Sequence, residues 1–164
     1  MSLLRFVSLL ILAVWVGGLA VLGAIVAPST FGILETQDPA NGAVVAGIVF
    51  GYVFRRFQHV AWILGVVLGL LLWARALLGP RPRRVGLRLW TLTAMVVTTL
   101  VSGLVIAPRI DVIRSQTVGP VRNLPDADPT KIEFSRLHGA SNALMLVTLA
   151  LGAGLIWMET KDTP

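Results

Sequence analysis

Residues 6–27 read FVSLLILAVWVGGLAVLGAIVA, 22 positions without a charge, preceded by Arg5 and followed by Pro28. At about 1.5 Å of rise per residue this run is roughly 33 Å long as a helix, enough to cross a hydrocarbon layer of about 30 Å. A secretory leader carries an apolar stretch of only about 7–15 residues, so the run reads as a retained membrane helix that ends at Pro28. Three more runs follow: 60–78, interrupted by Arg75, then 89–107 and 139–158. Unpaired backbone cannot sit in lipid, so each is expected to be helical. Arg75 lies one turn from the end of its run, where a long side chain reaches the headgroups. The expected fold class is all-α: an integral membrane four-helix bundle, one membrane domain over residues 1–164.

Composition points the same way. The chain is 55% hydrophobic and only 13% charged, against about 25% charged in an average soluble domain, which excludes a soluble globular fold. The absence of Cys removes disulfides, thiolate metal sites and thiol nucleophiles. The net charge of +6 does not mark a nucleic-acid surface, because the basic residues flank apolar runs. Their densest group is Arg75, Arg81, Arg83, Arg84 and Arg88, in or beside the short link after the second run, with no acid among them. Short basic loops stay cytoplasmic. Both termini are therefore expected inside the plasma (inner) membrane, with the two long links outside.

One apolar stretch, Gly42–Phe54, is too short to span. It follows Asp38-Pro39, a helix-capping residue and a first-turn proline, and ends in Arg55-Arg56. It predicts a short extra helix over about 39–56 that is interfacial, re-entrant or continuous with the second span. Residues 109–130 read as an outer link. A shift of 80 residues aligns the halves: Gly23 falls on Gly103, Ala27-Pro28 on Ala107-Pro108, Phe54 on Phe134 and Arg56 on Arg136. The bundle then reads as two duplicated helix hairpins, an arrangement found in membrane transport folds.

Candidate functional residues gather on the last run. His138, Ser141, Asn142 and Met145 fall at i, i+3, i+4 and i+7, on one helix face. Thr91, Met95, Thr98 and Ser102 make a similar stripe on the third run, and polar groups inside a bilayer face protein or a cavity. The two stripes are expected to face each other. The chain has two His; His59 and His138 both sit at the outer ends of their runs. Two His on separate helices, with Met as a soft donor, can hold haem b or copper. The candidate metal set is His138, His59, Met145 and Met95, and the candidate cofactor pocket is His138, Ser141 and Asn142. No Gly-x-Ser-x-Gly elbow is present and no carboxylate lies inside a run, so no enzyme is expected. The expected function is to bind or move a metal, haem or small solute through an outer-facing polar pocket. The alternative is a non-catalytic accessory subunit. Small-x-x-x-small pairs (Gly23/Ala27, Gly65/Gly69, Gly103/Ala107, Ala150/Gly154) could pack against other membrane subunits or a second copy.

Three stretches carry a family resemblance: Ala27-Pro28-x-x-Phe31; Ala40-x-Gly42 leading to Phe50-x-Tyr52; and Phe134-Ser-Arg-Leu-His138-Gly-x-Ser141. They resemble the four-span bacterial membrane family called domain of unknown function 4149, related to eukaryotic transmembrane protein 205. More distantly, the fold is similar to the copper-resistance protein D group. The resemblance implies a four-helix membrane bundle with His138 and Ser141 in its motif, and only faintly copper or haem handling. His59 is not part of that motif.

Overall fold

The structure is a computed structural model and describes residues 3–78 and 84–161. The link carrying Arg81 and Arg83 lies outside the described residues. Four long helices run alternately up and down: α1 (Leu3–Gln37), α2 (Gly42–Leu78), α3 (Val85–Gln116) and α4 (Pro129–Lys161). Each is long and apolar enough to cross a membrane, so this is a multi-pass membrane protein of all-α class. Neighbouring helices pack around a square, α1 on α2, α2 on α3, α3 on α4 and α4 on α1. One end of the bundle carries the chain termini. The other carries the α1–α2 turn and the α3–α4 loop, and is called here the loop end.

All four helices outrun the apolar stretches that predicted them, and at the loop end they do so by several turns. Pro28 does not end α1. A proline has no N–H to give the carbonyl four residues back, and its ring crowds that carbonyl. The chain meets this with a π turn over Leu22–Val26, closed by the Ala27 N–H on the Leu22 carbonyl, and then continues as α-helix over Ala27–Gln37. α3 does the same: a π turn over Ser102–Ile106, closed from Ala107 to Ser102, precedes Pro108, and the helix continues to Gln116. The two π turns coincide under the same 80-residue shift that aligns the sequence halves.

The apolar stretch before the second span is not a separate interfacial helix. It forms the first turns of α2, which runs unbroken for 37 residues because nothing between Gly42 and Leu78 interrupts a helix. Asp38 starts it: its carboxylate accepts the N–H groups of Ala40 and Asn41 at 3.1 and 3.0 Å. The Asn41 N–H holds that carboxyl below the usual carboxylate range. Gly42 is required at the turn, because a Cβ there would overlap the Leu34 carbonyl. Asp128 caps α4 in the same way through the Thr130 N–H at 2.7 Å. Residues 109–116 and 129–130 of the supposed outer link are therefore helix, leaving a shorter loop with a 3₁₀ turn at Val121–Asn123.

The core sits in the terminal half of the bundle. Leu12 and Trp15 of α1, Ala61, Leu68 and Leu72 of α2, Leu92 and Met95 of α3, and Leu155 of α4 form one buried cluster. Large apolar side chains such as Ile63, Leu70, Trp90 and Trp157 are exposed on the outside, as lipid-facing positions are. Of the α3 stripe, Thr98 reaches α4 at Thr148, outside the expected α4 stripe: the two hydroxyls are hydrogen-bonded at 2.8 Å, while Ser102 takes Gln58 of α2. Such bonds in membrane bundles contribute about 0.6–1.7 kcal/mol. Thr98→Val is accordingly expected to lower stability in detergent by roughly 1 kcal/mol, measured by thermal unfolding.

At the terminal end, Arg75 and Arg88 do not reach outward to headgroups. They are 8% and 1% exposed, and both turn onto Glu159, itself 2% exposed. Arg75 Nη1 donates to both Glu159 carboxylate oxygens at 3.0 Å. Arg88 Nη1 donates to Oε1 at 2.5 Å, and its Nη2 donates to the Met158 carbonyl at 2.8 Å. This cluster ties α2, α3 and α4 together. It also corrects the expectation that no carboxylate is buried among the helices: Glu159 lies one residue past the expected end of the last span.

Candidate functional site

Below the π turn, α1 packs against α4. Beyond it, α1 packs on α2 and parts from α4. The space left between the four helices at the loop end is a cavity of about 650 Å³, within the range of about 300–1,000 Å³ typical of ligand sites. Leu146 belongs to its wall and is also 61% exposed on the membrane face, so the cavity reaches the lipid side of the bundle. Its walls are largely aromatic and aliphatic, with Phe31, Phe50, Phe54, Phe134 and Ile110 among them. A few polar groups interrupt them.

The sequence stripe on α4 lies along this cavity. His138, Ser141, Asn142 and Met145 all line it. The Met145 Cε lies 3.0 Å from where a Cβ on Gly23 would stand, so the missing side chain at 23 makes room for the thioether. The His138 ring stacks on Phe134, with centroids 6.0 Å apart and planes 2° from parallel.

Two of the expected metal ligands are elsewhere. His59 is exposed and packs edge-on against Trp62 at 4.9 Å. Successive residues of a helix point about 100° apart; because Gln58 is turned inward, His59 is turned out. Met95 is fully buried in the core, beside Gly152, and does not line the cavity. The His138–His59 pair and the Met95 donor are therefore not brought together. Among the described residues, no group of three His, Cys, Asp or Glu side chains is placed to hold a metal ion.

Two polar residues of the cavity escaped the sequence reading. Gln58, 2% exposed, forms its floor. Its Nε2 donates to the Ser102 hydroxyl at 3.1 Å, and its Oε1 is buried without a hydrogen-bond partner. Arg114 stands on the α3 extension. Its Nη1 donates to the Gly47 carbonyl at 2.9 Å, and its guanidinium lies over the Phe134 ring at 5.5 Å. Arg114 was hidden because Pro108 looked like a helix end. The signal that could have revealed it is the spacing of Ile106, Ile110 and Ile113, at i, i+4 and i+7, all buried.

The 80-residue shift gains weight here. It pairs Ala27 with Ala107, Phe54 with Phe134 and Gln58 with His138, and all six residues line the one cavity. The small-residue pairs are largely used inside the bundle. A Cβ on Gly65 would come 2.8 Å from Val96, and one on Gly103 would come 2.8 Å from Trp62. Gly69 and Gly154 face open space.

Residues 10–118 match the family model described as Domain of unknown function (DUF4149). The matched region covers α1, α2 and α3 and stops before α4, so the His138–Ser141 stretch lies beyond it. No curated protein and no solved structure matches.

Proposed function

We propose a function for a chain that belongs to the family Domain of unknown function (DUF4149): it holds a small apolar or amphiphilic solute in the cavity between its four helices. The observation that carries this reading is the cavity itself. It is large enough for a ligand, lined mainly by apolar residues with four Phe among them, interrupted by a few polar groups, and open beside the exposed Leu146 of α4. That is the composition of a small-molecule site. Its position among residues paired by the internal repeat supports the same reading, since transport folds place their sites between repeats. The buried, partnerless Gln58 Oε1 at the floor is an acceptor that a bound solute could satisfy. In this reading the loop end faces the outside of the cell and the core around Trp15 closes the path beneath. A soft-metal reading draws on His138 and Met145, which share the wall, but the geometry supplies no third donor from the expected set.

The test is labelling of the full-length protein in bilayers with a neutral alkyl alcohol bearing a photoactivatable diazirine. Labels are expected to concentrate on cavity residues such as Phe54 and Met145. Ser141→Trp, which fills the cavity from a half-buried position, is expected to reduce that labelling about tenfold while leaving the lipid-facing labels unchanged. Labels spread evenly over the lipid-facing surface, untouched by Ser141→Trp, would overturn the reading.

A further inference from the structure

Arg114 decides what sort of solute fits. Its guanidinium stands on the wall shared by the large cavity and a smaller one of about 210 Å³ that lies against the α3–α4 loop. A guanidinium has five N–H donors. One is used on Gly47 and one face is used on Phe134. The acids of the loop end are all engaged elsewhere. Asp111 pairs with Arg55, Glu35 with Arg122 at 2.8 Å, Glu133 lies 4.0 Å from Arg109, and Asp126 takes Lys131 at 2.9 Å. Asp38 and Asp128 are occupied as helix caps. Among the described residues, no carboxylate lies within ion-pair distance of Arg114; Asp111, three residues back on the same helix, acts on it from farther off while pairing with Arg55, so no acid is bonded to this half-buried cation at the cavity wall.

Resting on the cavity reading above, we infer that the solute is an anionic single-chain amphiphile, with a carboxylate or phosphate head on Arg114 and an apolar tail in the cavity. The head satisfies the guanidinium, which favours oxyanions because its paired N–H groups match two oxygens at once. The tail lies along Phe54, Met145 and Leu146 and leaves through the gap between α1 and α4. Phe134, whose ring meets both Arg114 and His138, helps hold the guanidinium at the wall. A neutral amphiphile would bring no oxyanion to the remaining guanidinium donors. A free anion would leave the apolar walls unfilled.

The experiment uses three probes on the full-length protein in a neutral maltoside detergent, with binding followed by native mass spectrometry: dodecyl phosphate, dodecanol and inorganic phosphate. Dodecyl phosphate is expected to bind at least about tenfold more tightly than either of the others, the scale of one charge-assisted contact. Arg114→Gln is expected to remove that preference, so that dodecyl phosphate binds no better than dodecanol, while Arg114→Lys keeps part of it. The comparison of probes on the unaltered protein stands even if Arg114→Gln does not fold. Equal binding of dodecyl phosphate and dodecanol, both sensitive to Ser141→Trp, would overturn the anionic head and leave the cavity reading standing. Inorganic phosphate binding as tightly as dodecyl phosphate would overturn the amphiphile in favour of a free anion. Failure of both alkyl probes to bind at any site sensitive to Ser141→Trp would overturn both readings.

Discussion

Glu159→Gln is expected to lower the stability of the bundle by about 3–5 kcal/mol, the scale of breaking a buried ion pair from one side. The carboxylate is 2% exposed and receives both Arg75 and Arg88. Removing its charge takes the Glu159 carboxylate away from two buried guanidinium groups on different helices. Thermal unfolding in detergent should show a large drop, and size-exclusion chromatography a loss of the monodisperse species. The cost belongs to breaking the cluster, since replacing a whole buried triad by apolar residues is often neutral. The triple variant Arg75→Met, Arg88→Met, Glu159→Met should therefore be more stable than Glu159→Gln. A triple variant weaker than the single one would show that the charges themselves, and not their balance, hold this end together.

Gly152→Leu is the second large effect. A Cβ at 152 would overlap the Val16 side chain of α1 and come 3.1 Å from the Met95 Cε of α3. The site lies in the buried core, against α1 and α3, and overpacking there costs about 1–3 kcal/mol. Two residues on, Gly154 has nothing within 4 Å, so Gly154→Leu is expected to stay within about 0.5 kcal/mol of the parent. The two variants share a helix, a residue type and a change in volume, and differ only in the face they occupy. If Gly154→Leu proved the more damaging, the outward face of α4 would have to be covered by another chain, as the accessory-subunit alternative requires.

The spans were legible because an uninterrupted apolar run of about 20 residues has few other readings. The helix extensions were not, because Pro28 and Pro108 carry the usual mark of a helix end and the π turns that accommodate them leave no signature in composition. Of the three readings of residues 39–56, continuity with the second span is the one observed; the sequence did not single it out because Arg55, Arg56 and His59 look like a boundary, yet charged residues do not break a helix that rises out of lipid. In the site, His138, Ser141, Asn142 and Met145 could be grouped from helical spacing alone, since all four stand on one helix. Met95 and His59 could not be placed with them. Spacing gives the relative faces within a helix, but not the rotation of one helix against another. Gln58 was passed over as part of a polar flank, although its neighbour His59 was noticed. The Arg75 and Arg88 side chains could be read as topology signals only while Glu159 was counted outside the last span.

The cluster at the terminal end also bears on the order in which the bundle can be assembled. No Asp or Glu occurs between Asp38 and Asp111, so the terminal halves of α2 and α3 enter the membrane with two inward arginines and no acid, since Asp111 stands at the opposite end of α3. Like charges brought together in a medium of low dielectric repel strongly. Glu159, the acid that joins them, stands near the far end of α4, a helix made after both. The α2–α3 hairpin is therefore completed at that end only when α4 arrives, and a later segment of the chain locks two earlier ones.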